Sequence, residues 1–309
     1  MNLDFSNIKI LLIGDFMIDH YIIGTSHRMS PEAPVPVVVP EKEYSVLGGA
    51  GNVTMNLRAM GAHVTCVGAV GDDSWGKKLL SILANEGIST EYISIIDNHP
   101  TTLKQRIYLD NKQVARLDTE KIIDWNPSSK VQGKISDSDY DIIILSDYNK
   151  GVLNHPWVGI NKVDNVIVDP KKDNFIHYKN ADIITPNLNE LQRASKIEIN
   201  NDKSIVDACN VLIKKCNFNY IVVKKGNKGM TIVGRNNFVN HIEAHFVKNP
   251  DVTGAGDTAV SALALAFAKT KDIKVSAKIA NAAAAVVVGK TGTATITIDE
   301  LRQKLENLD

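Results

Sequence analysis

Between Asp251 and Thr258 the chain reads Asp-Val-Thr-Gly-Ala-Gly-Asp-Thr, and the apolar residues Ala259, Ala262, Leu263, Ala266 and Phe267 follow at helical spacing. Glycines at the start of a helix let backbone N–H groups converge on an anion, and the helix dipole adds favourable potential. On those grounds Gly254, Ala255 and Gly256 form a generic phosphate cradle. Asp257 changes the reading, because a carboxylate inside an anion hole repels a phosphate held at rest. It suits a group that takes a proton from a hydroxyl while the neighbouring N–H groups stabilise a phosphoryl group in transfer. The alternative role for Asp257 is a helix N-cap.

Two other glycine patterns carry less. Gly254-x-Gly256-x-x-Ala259 matches a loose dinucleotide fingerprint, but Lys248-Asn249-Pro250 precedes it instead of a strand, and Asp257 would face the pyrophosphate. Gly71 to Lys78 nearly matches a P-loop, yet it ends in Lys78 where Ser or Thr would hold magnesium, and Asp72 and Asp73 would repel phosphates. Acidic capping of a helix explains that segment better.

The elements that must hold these residues alternate. Ile8–Ile13 is a continuous apolar run stopped by Gly14, as in a strand buried on both faces. Further strands are expected at Val64–Val70, Asp141–Leu145, Asn165–Val168, Asp182–Ile184 and Tyr220–Val223. Helices are expected at Ala50–Met60 and Trp75–Glu86, each stopped by a glycine (Gly61, Gly87). Others are expected at Lys203–Lys215, Ala255–Lys269, Val275–Val288 and Asp299–Asn307. Such alternation implies an α/β fold, a mainly parallel sheet flanked by helices. Two stretches break it. Tyr21–Tyr44 carries four prolines around the extended run Val35–Val39, and Thr101–Asp118 reads as two strands joined by an Asp110-Asn111-Lys112 turn. Together they suggest a small β flap, or lid, from about 20–45 and 97–118; the alternative is two long surface loops.

The 309 residues suffice for a full core, and Lys plus Arg balances Asp plus Glu at 35 each. No basic excess or stripe points to nucleic acid, so any phosphate-binding charge must be local. Cys66, Cys209 and Cys216 are too few and scattered for a disulfide framework or a zinc site, and suit small buried hydrophobes. The N-terminal apolar run is too short for a signal peptide, and no run approaches a membrane span, so no membrane partner and a cytoplasmic location are expected.

With Gly48-Gly49-Ala50-Gly51-Asn52 near the start, Asn187-Leu188-Asn189-Glu190 in the middle and Asp251–Asp257 near the end, the chain resembles the ribokinase-like (PfkB) carbohydrate kinases over almost its whole length. Within that family the likeness is strongest to the D-glycero-β-D-manno-heptose 7-phosphate kinases. It is carried by Gly14-Asp15 with Asp19, Met29–Val37 (Met-Ser-Pro-Glu-Ala-Pro-Val-Pro-Val), Leu145–Gly151, Asp169-Pro170-Lys171 and Asn281–Lys290. The resemblance implies transfer of the ATP γ-phosphoryl group to O1 of heptose 7-phosphate, on the route to ADP-heptose and lipopolysaccharide core. It implies ATP and Mg²⁺, with K⁺ as a monovalent cation. The partners it implies are a sugar phosphate and ATP, and it allows a homodimer. Many relatives carry a C-terminal adenylyltransferase domain; with the sequence ending at Asp309, a single kinase domain, stand-alone or cut from a longer protein, is expected. The alternatives are a ribokinase-like kinase for another sugar or nucleoside, and a non-catalytic sugar-phosphate binder.

The resemblance also assigns roles. Asp15 and Asp19, at the end of the first strand, would meet sugar hydroxyls, and Gly48, Gly49 and Asn52 would let backbone approach the sugar. Asn187 and Glu190 would organise Mg²⁺ through water; helix capping is the alternative. Arg28, Lys104, Arg106 and Arg116 of the flap are the cations available for a sugar phosphate, and Lys171 could meet either phosphate. Lys224, with Gly226 and Gly229 after it, falls on the nucleotide side, where many members of the family have a threonine. Asn281 is read as opening a helix that lines the adenine pocket, or as a plain N-cap. Asp251 and Thr253 would hold the monovalent cation.

Overall fold

The computed structural model describes residues 3–110, 112–136, 139–154 and 165–307. The chain opens with β1 (Lys9–Gly14), whose Ile10 and Leu12 enter one apolar cluster while Leu11 and Ile13 enter another. This period-two division shows why the run is apolar at every position: both faces of the strand are covered. One residue later, past Asp15, the chain leaves for β2 (Phe16–Thr25), returns in β3 (Val39–Gly49) and turns at Gly49, φ +56°, straight into α1 (Ala50–Ala59). Next come β4 (His63–Gly71), α2 (Ser74–Asn85), β5 (Tyr92–Ile96), β6 (Leu103–Leu109) and β7 (Lys112–Thr119). They are followed by α3 (Ser129–Ile135), β8 (Ile142–Ser146), β9 (Val166–Asp169), β10 (Ile183–Ile184), α4 (Leu188–Ser195) and α5 (Asp202–Cys216). The chain closes with β11 (Tyr220–Lys224), β12 (Met230–Gly234), β13 (Phe238–Ile242), α6 (Ala255–Thr270), α7 (Ile273–Val287) and α8 (Ile298–Glu306).

Nine strands form the main sheet in the order β13-β12-β11-β10-β9-β8-β1-β4-β5, parallel from β5 to β11 and antiparallel at β12 and β13. One apolar cluster lies under α1, α6, α7 and α8, and the other under α3, α4 and α5. All three cysteines are buried and unpaired within these cores. A second sheet, β3-β2-β6-β7, is the expected flap. Its strands are longer than the sequence suggests, because β2 starts at Phe16 and β3 runs on to Gly49. The Val35–Val39 run is not a strand: only Val39 belongs to β3, and Pro36 makes an isolated bridge to Met29. Prolines at 31, 34 and 36 lack the N–H groups a ladder needs. Of the turn between β6 and β7, Asn111 lies outside the described residues. The β12–β13 hairpin, β5, α3 and α4 are additions to the sequence reading. Among the described residues no helix is long and apolar enough to cross a membrane.

Candidate active site

The carboxyl ends of β1, β8, β9 and β11 face the N-terminal ends of α1 and α6, where open α/β sheets bind ligands. Between them is a cleft of about 170 Å³ whose walls include Tyr148, Asp169, Lys171, Glu190, Lys224 and Asp257. Gly254 adopts φ +73° just before α6, a left-handed conformation that suits glycine, and Gly254 and Gly256 both border the cleft.

Asp257 is on the first turn of α6 and only 6% exposed. It is not the N-cap; Gly254 is, and no side chain caps the helix. One carboxylate oxygen, Oδ2, accepts a hydrogen bond from Asn52 Nδ2 at 2.7 Å, and Oδ1 accepts a short one from the Tyr148 hydroxyl. Burial pushes its pKa up to about 6, with Asp169 adding to the rise, while the Tyr148 and Asn52 donors and Lys224 pull the other way. A carboxylate tuned to that range is an effective proton acceptor near neutrality. Asn52 is itself held by Asn56, whose Nδ2 donates to its carbonyl at 2.9 Å; Thr258 in turn donates to Asn56 Oδ1 at 3.0 Å. The base is thus braced between α1 and α6.

Opposite the cradle, Lys224 Nζ lies 2.5 Å from Asp169 Oδ1 and 3.5 Å from where a Cβ on Gly256 would sit. Burial disfavours its charge, but Asp169, Glu190 and Asp257 outweigh that and raise its pKa, so it is an ammonium at the mouth of the cradle. Glu190 is 5% exposed; its Oε2 accepts from the Asn187 N–H at 2.9 Å, and Asn187 Oδ1 accepts from the Glu190 N–H at 2.9 Å. This capping box of α4 is the alternative weighed for Asn187. It leaves Glu190 Oε1 at the cleft, 3.4 Å from Lys171 Nζ. Gly226 (φ +61°) and Gly229 (φ +77°) shape the turn after β11; a Cβ on Gly229 would sit 2.0 Å from the Ile242 carbonyl oxygen.

The flap supplies the other wall. Asp19 is inside β2, not at the end of the first strand, and its Oδ2 accepts from Thr293 Oγ1 at 2.9 Å. Arg106 Nη1 lies 2.7 Å from Asp19 Oδ1, an ion pair of two largely buried side chains that holds the arginine's pKa up against the cost of burial. Gly48 passes so close that a Cβ there would be 2.9 Å from Asp19 Oδ2, and one on Gly49 would be 2.6 Å from the Asp15 carbonyl oxygen. Lys104 reaches inward, its Nζ 5.4 Å from the Tyr148 ring centroid, and burial lowers its pKa. Arg116 is half exposed and paired with Asp118 at 2.9 Å; Arg28 is exposed.

Other residues singled out in the sequence are engaged by the fold itself. Asp15 is 2% exposed and its carboxylate accepts from three backbone N–H groups, Tyr148 at 2.8 Å, Lys150 at 3.0 Å and Val152 at 3.1 Å. It shapes the loop after β8. Asn281 does not open a helix: it is inside α7, which Asp272 caps, and its Nδ2 donates to the Glu243 carbonyl at 2.8 Å. Asp251 closes the turn before α6, accepting from the N–H groups of Thr253 at 3.0 Å and Gly292 at 2.7 Å. Burial opposes its ionisation, yet those donors hold its carboxyl below the usual range. Asp73 is the N-cap of α2, accepting from the Gly76 N–H at 2.7 Å, so the P-loop-like segment is a capped helix. Tyr148 and Asp169 had no assigned role; both follow or end strands of the parallel sheet, which is the signal that could have found them.

Residues 7–300 match the pfkB family carbohydrate kinase model. The bifunctional protein HldE of Aliarcobacter butzleri is 40% identical over 303 residues, which are 95% of this chain and 63% of that protein, so the chain spans under two thirds of the relative's length. By structure it is similar to Arabidopsis thaliana ribokinase complexed with ribose and ATP (TM-score 0.76, 20% identity, covering 97% of this chain and 98% of the other). It is also similar to Escherichia coli phosphofructokinase-2 in complex with potassium (TM-score 0.79, 18% identity, covering 97% and 99%). These two likenesses bear on the fold. The family match, extending across both walls of the cleft, shows that the chain belongs to the pfkB family of carbohydrate kinases.

Proposed function

We propose that the chain transfers the γ-phosphoryl group of ATP to O1 of D-glycero-β-D-manno-heptose 7-phosphate, giving the 1,7-bisphosphate in the supply of ADP-heptose for lipopolysaccharide core. Residues 1–309 act in this reading as one kinase unit with the small sheet as its lid. The observation that carries the reading is Asp257: a buried carboxylate, held by two donors, at the glycine-lined N-terminus of α6. Asp257 takes the O1 proton as O1 bonds to the γ-phosphorus. The bond from that phosphorus to the bridging oxygen breaks, and ADP carries off the electron pair. The Ala255 N–H is taken by the Val252 carbonyl at 3.3 Å, so Gly254 and Gly256, which border the cleft, and the Lys224 ammonium face the charge that spreads over the transferring group. Glu190, which borders the cleft, would hold Mg²⁺ there as a hard carboxylate, and the ion would neutralise ATP phosphate charge. The heptose assignment is supported by the Met29–Val37 and Leu145–Gly151 segments and by similarity to proteins named HldE.

A panel of acceptors tests it: heptose 7-phosphate, ribose, fructose and fructose 6-phosphate, each with MgATP and the purified chain. The heptose phosphate is expected to give the highest kcat/KM. Efficient turnover of another acceptor with none of the heptose phosphate would overturn the substrate while leaving the kinase.

A further inference from the structure

One half-buried titratable side chain touches the base and takes no part in proton or phosphoryl transfer. The Tyr148 hydroxyl donates to Asp257 Oδ1. Its backbone is fixed as well, since the Tyr148, Lys150 and Val152 N–H groups all end on Asp15. The chain therefore spends a buried carboxylate, Asp15, on holding the loop that presents this phenol.

We propose that Tyr148 is a positioning residue for the base, a half-buried donor that fixes one oxygen of Asp257 and favours the carboxylate over the carboxylic acid. This rests on the reading of Asp257 as general base. Burial opposes ionisation of Asp257, and a protonated base accepts nothing. Two side chains offset that by hydrogen bonding: Asn52, which also braces α1 against α6, and Tyr148. The other charges facing the base are Asp169 from β9, which disfavours its ionisation, and Lys224 from β11, which favours it. Lys104 from β6 lies over the Tyr148 ring, and Asp19 from β2 acts on its phenol. Burial, then the Asp257 charge, raises the phenol's own pKa well above its usual value, so Tyr148 stays a donor across the working range.

Tyr148→Phe keeps the ring and removes the donor. The full chain is read in two ways. The Asp257 carboxyl is titrated by ¹³C NMR, its resonance assigned by its loss in Asp257→Asn. The pH profile of kcat/KM is measured with MgATP and heptose 7-phosphate. In Tyr148→Phe the NMR midpoint and the acid limb should both move up by about one to two pH units, ten- to hundredfold in proton affinity, the scale of a hydrogen bond to a charge. Turnover should recover above the new midpoint. An unmoved midpoint, or a loss that is the same at every pH, overturns the positioning role alone. Near-normal turnover in Asp257→Asn overturns the base, and the positioning role with it.

Discussion

Asp257 works by being held in a place that disfavours its charge. With a pKa moved from 3.8 to about 6, it should cost stability at neutral pH. Between those two values the folded chain binds a proton that the unfolded chain has lost, so stability falls as pH rises through the window and levels off above it. The full cost is about 3 kcal/mol, from 1.36 kcal/mol per pKa unit. Asn at this position cannot titrate. The stability of Asp257→Asn relative to the parent should therefore climb by roughly that amount between pH 4 and 7, whatever offset the lost hydrogen bonds impose. Urea melts of both proteins across the window check this; a constant difference would mean that the carboxyl is not desolvated.

Elements carry the same logic outward, because the turn into α6 is shaped by one glycine. At Gly254 φ is +73°, and a Cβ would meet Asn52 Nδ2 at 2.7 Å, the atom that donates to Asp257. Gly254→Ala should lose about 1–2 kcal/mol to the left-handed backbone and also push Asn52 off the base. Gly61→Ala is the control: φ there is +100°, but a Cβ would have nothing within 4 Å. Both variants should melt earlier, and only Gly254→Ala should lower kcat, by about tenfold or more. Equal loss of kcat in both would show that the effect is global. The glycine turn was legible in the sequence because its parts are contiguous, as were the apolar strands β1, β4 and β8 and the long helices. Tyr148, Asp169 and Lys224 were not legible as partners of Asp257, since parallel strand ends unite them across gaps such as the 109-residue separation of Tyr148 from the base. Asn281 was misread for a related reason: sequence shows a polar residue near a ligand-binding edge, but not whether backbone already occupies it. The two-residue β10 was legible only through the longer apolar segment around it.

At the scale of the whole molecule, 35 basic residues cancel 35 acidic ones, so no long-range field draws in a sugar phosphate. Selection of a phosphorylated substrate must rest on local charge, and the lid's register shows where that charge is. Across β6 and β7, Lys104 is opposite Asp118 and Arg106 opposite Arg116; β2 sets Asp19 beside Lys104 and Tyr21 beside Arg106. Directly paired residues share a sheet face, so three cations and two carboxylates share one face, which Lys104 ties to the cleft through Tyr148. The residues on it should differ in effect. Arg106 neutralises the buried Asp19, so Arg106→Ala should impair phosphorylated and plain heptose alike. Lys104 is drawn to Asp19 and Asp118 yet still loses proton affinity to burial, so a phosphate dianion is the partner that would restore it. Lys104→Ala should cost roughly tenfold to a hundredfold in kcat/KM for heptose 7-phosphate, the scale of a charged hydrogen bond, with little change for unphosphorylated heptose. Arg116→Ala should do the same more weakly, because Asp118 already engages it, and Arg28→Ala least, because it is exposed and lies outside the strands of the lid. The KM for ATP should hardly move in any of them, because the α6 cradle and Lys224 form the opposite wall. Kinetics with both acceptors decide the matter: if Lys104→Ala and Arg116→Ala keep the parent's preference for the phosphorylated sugar, the lid does not read the phosphate and Lys171, across the cleft beside Glu190, takes its place.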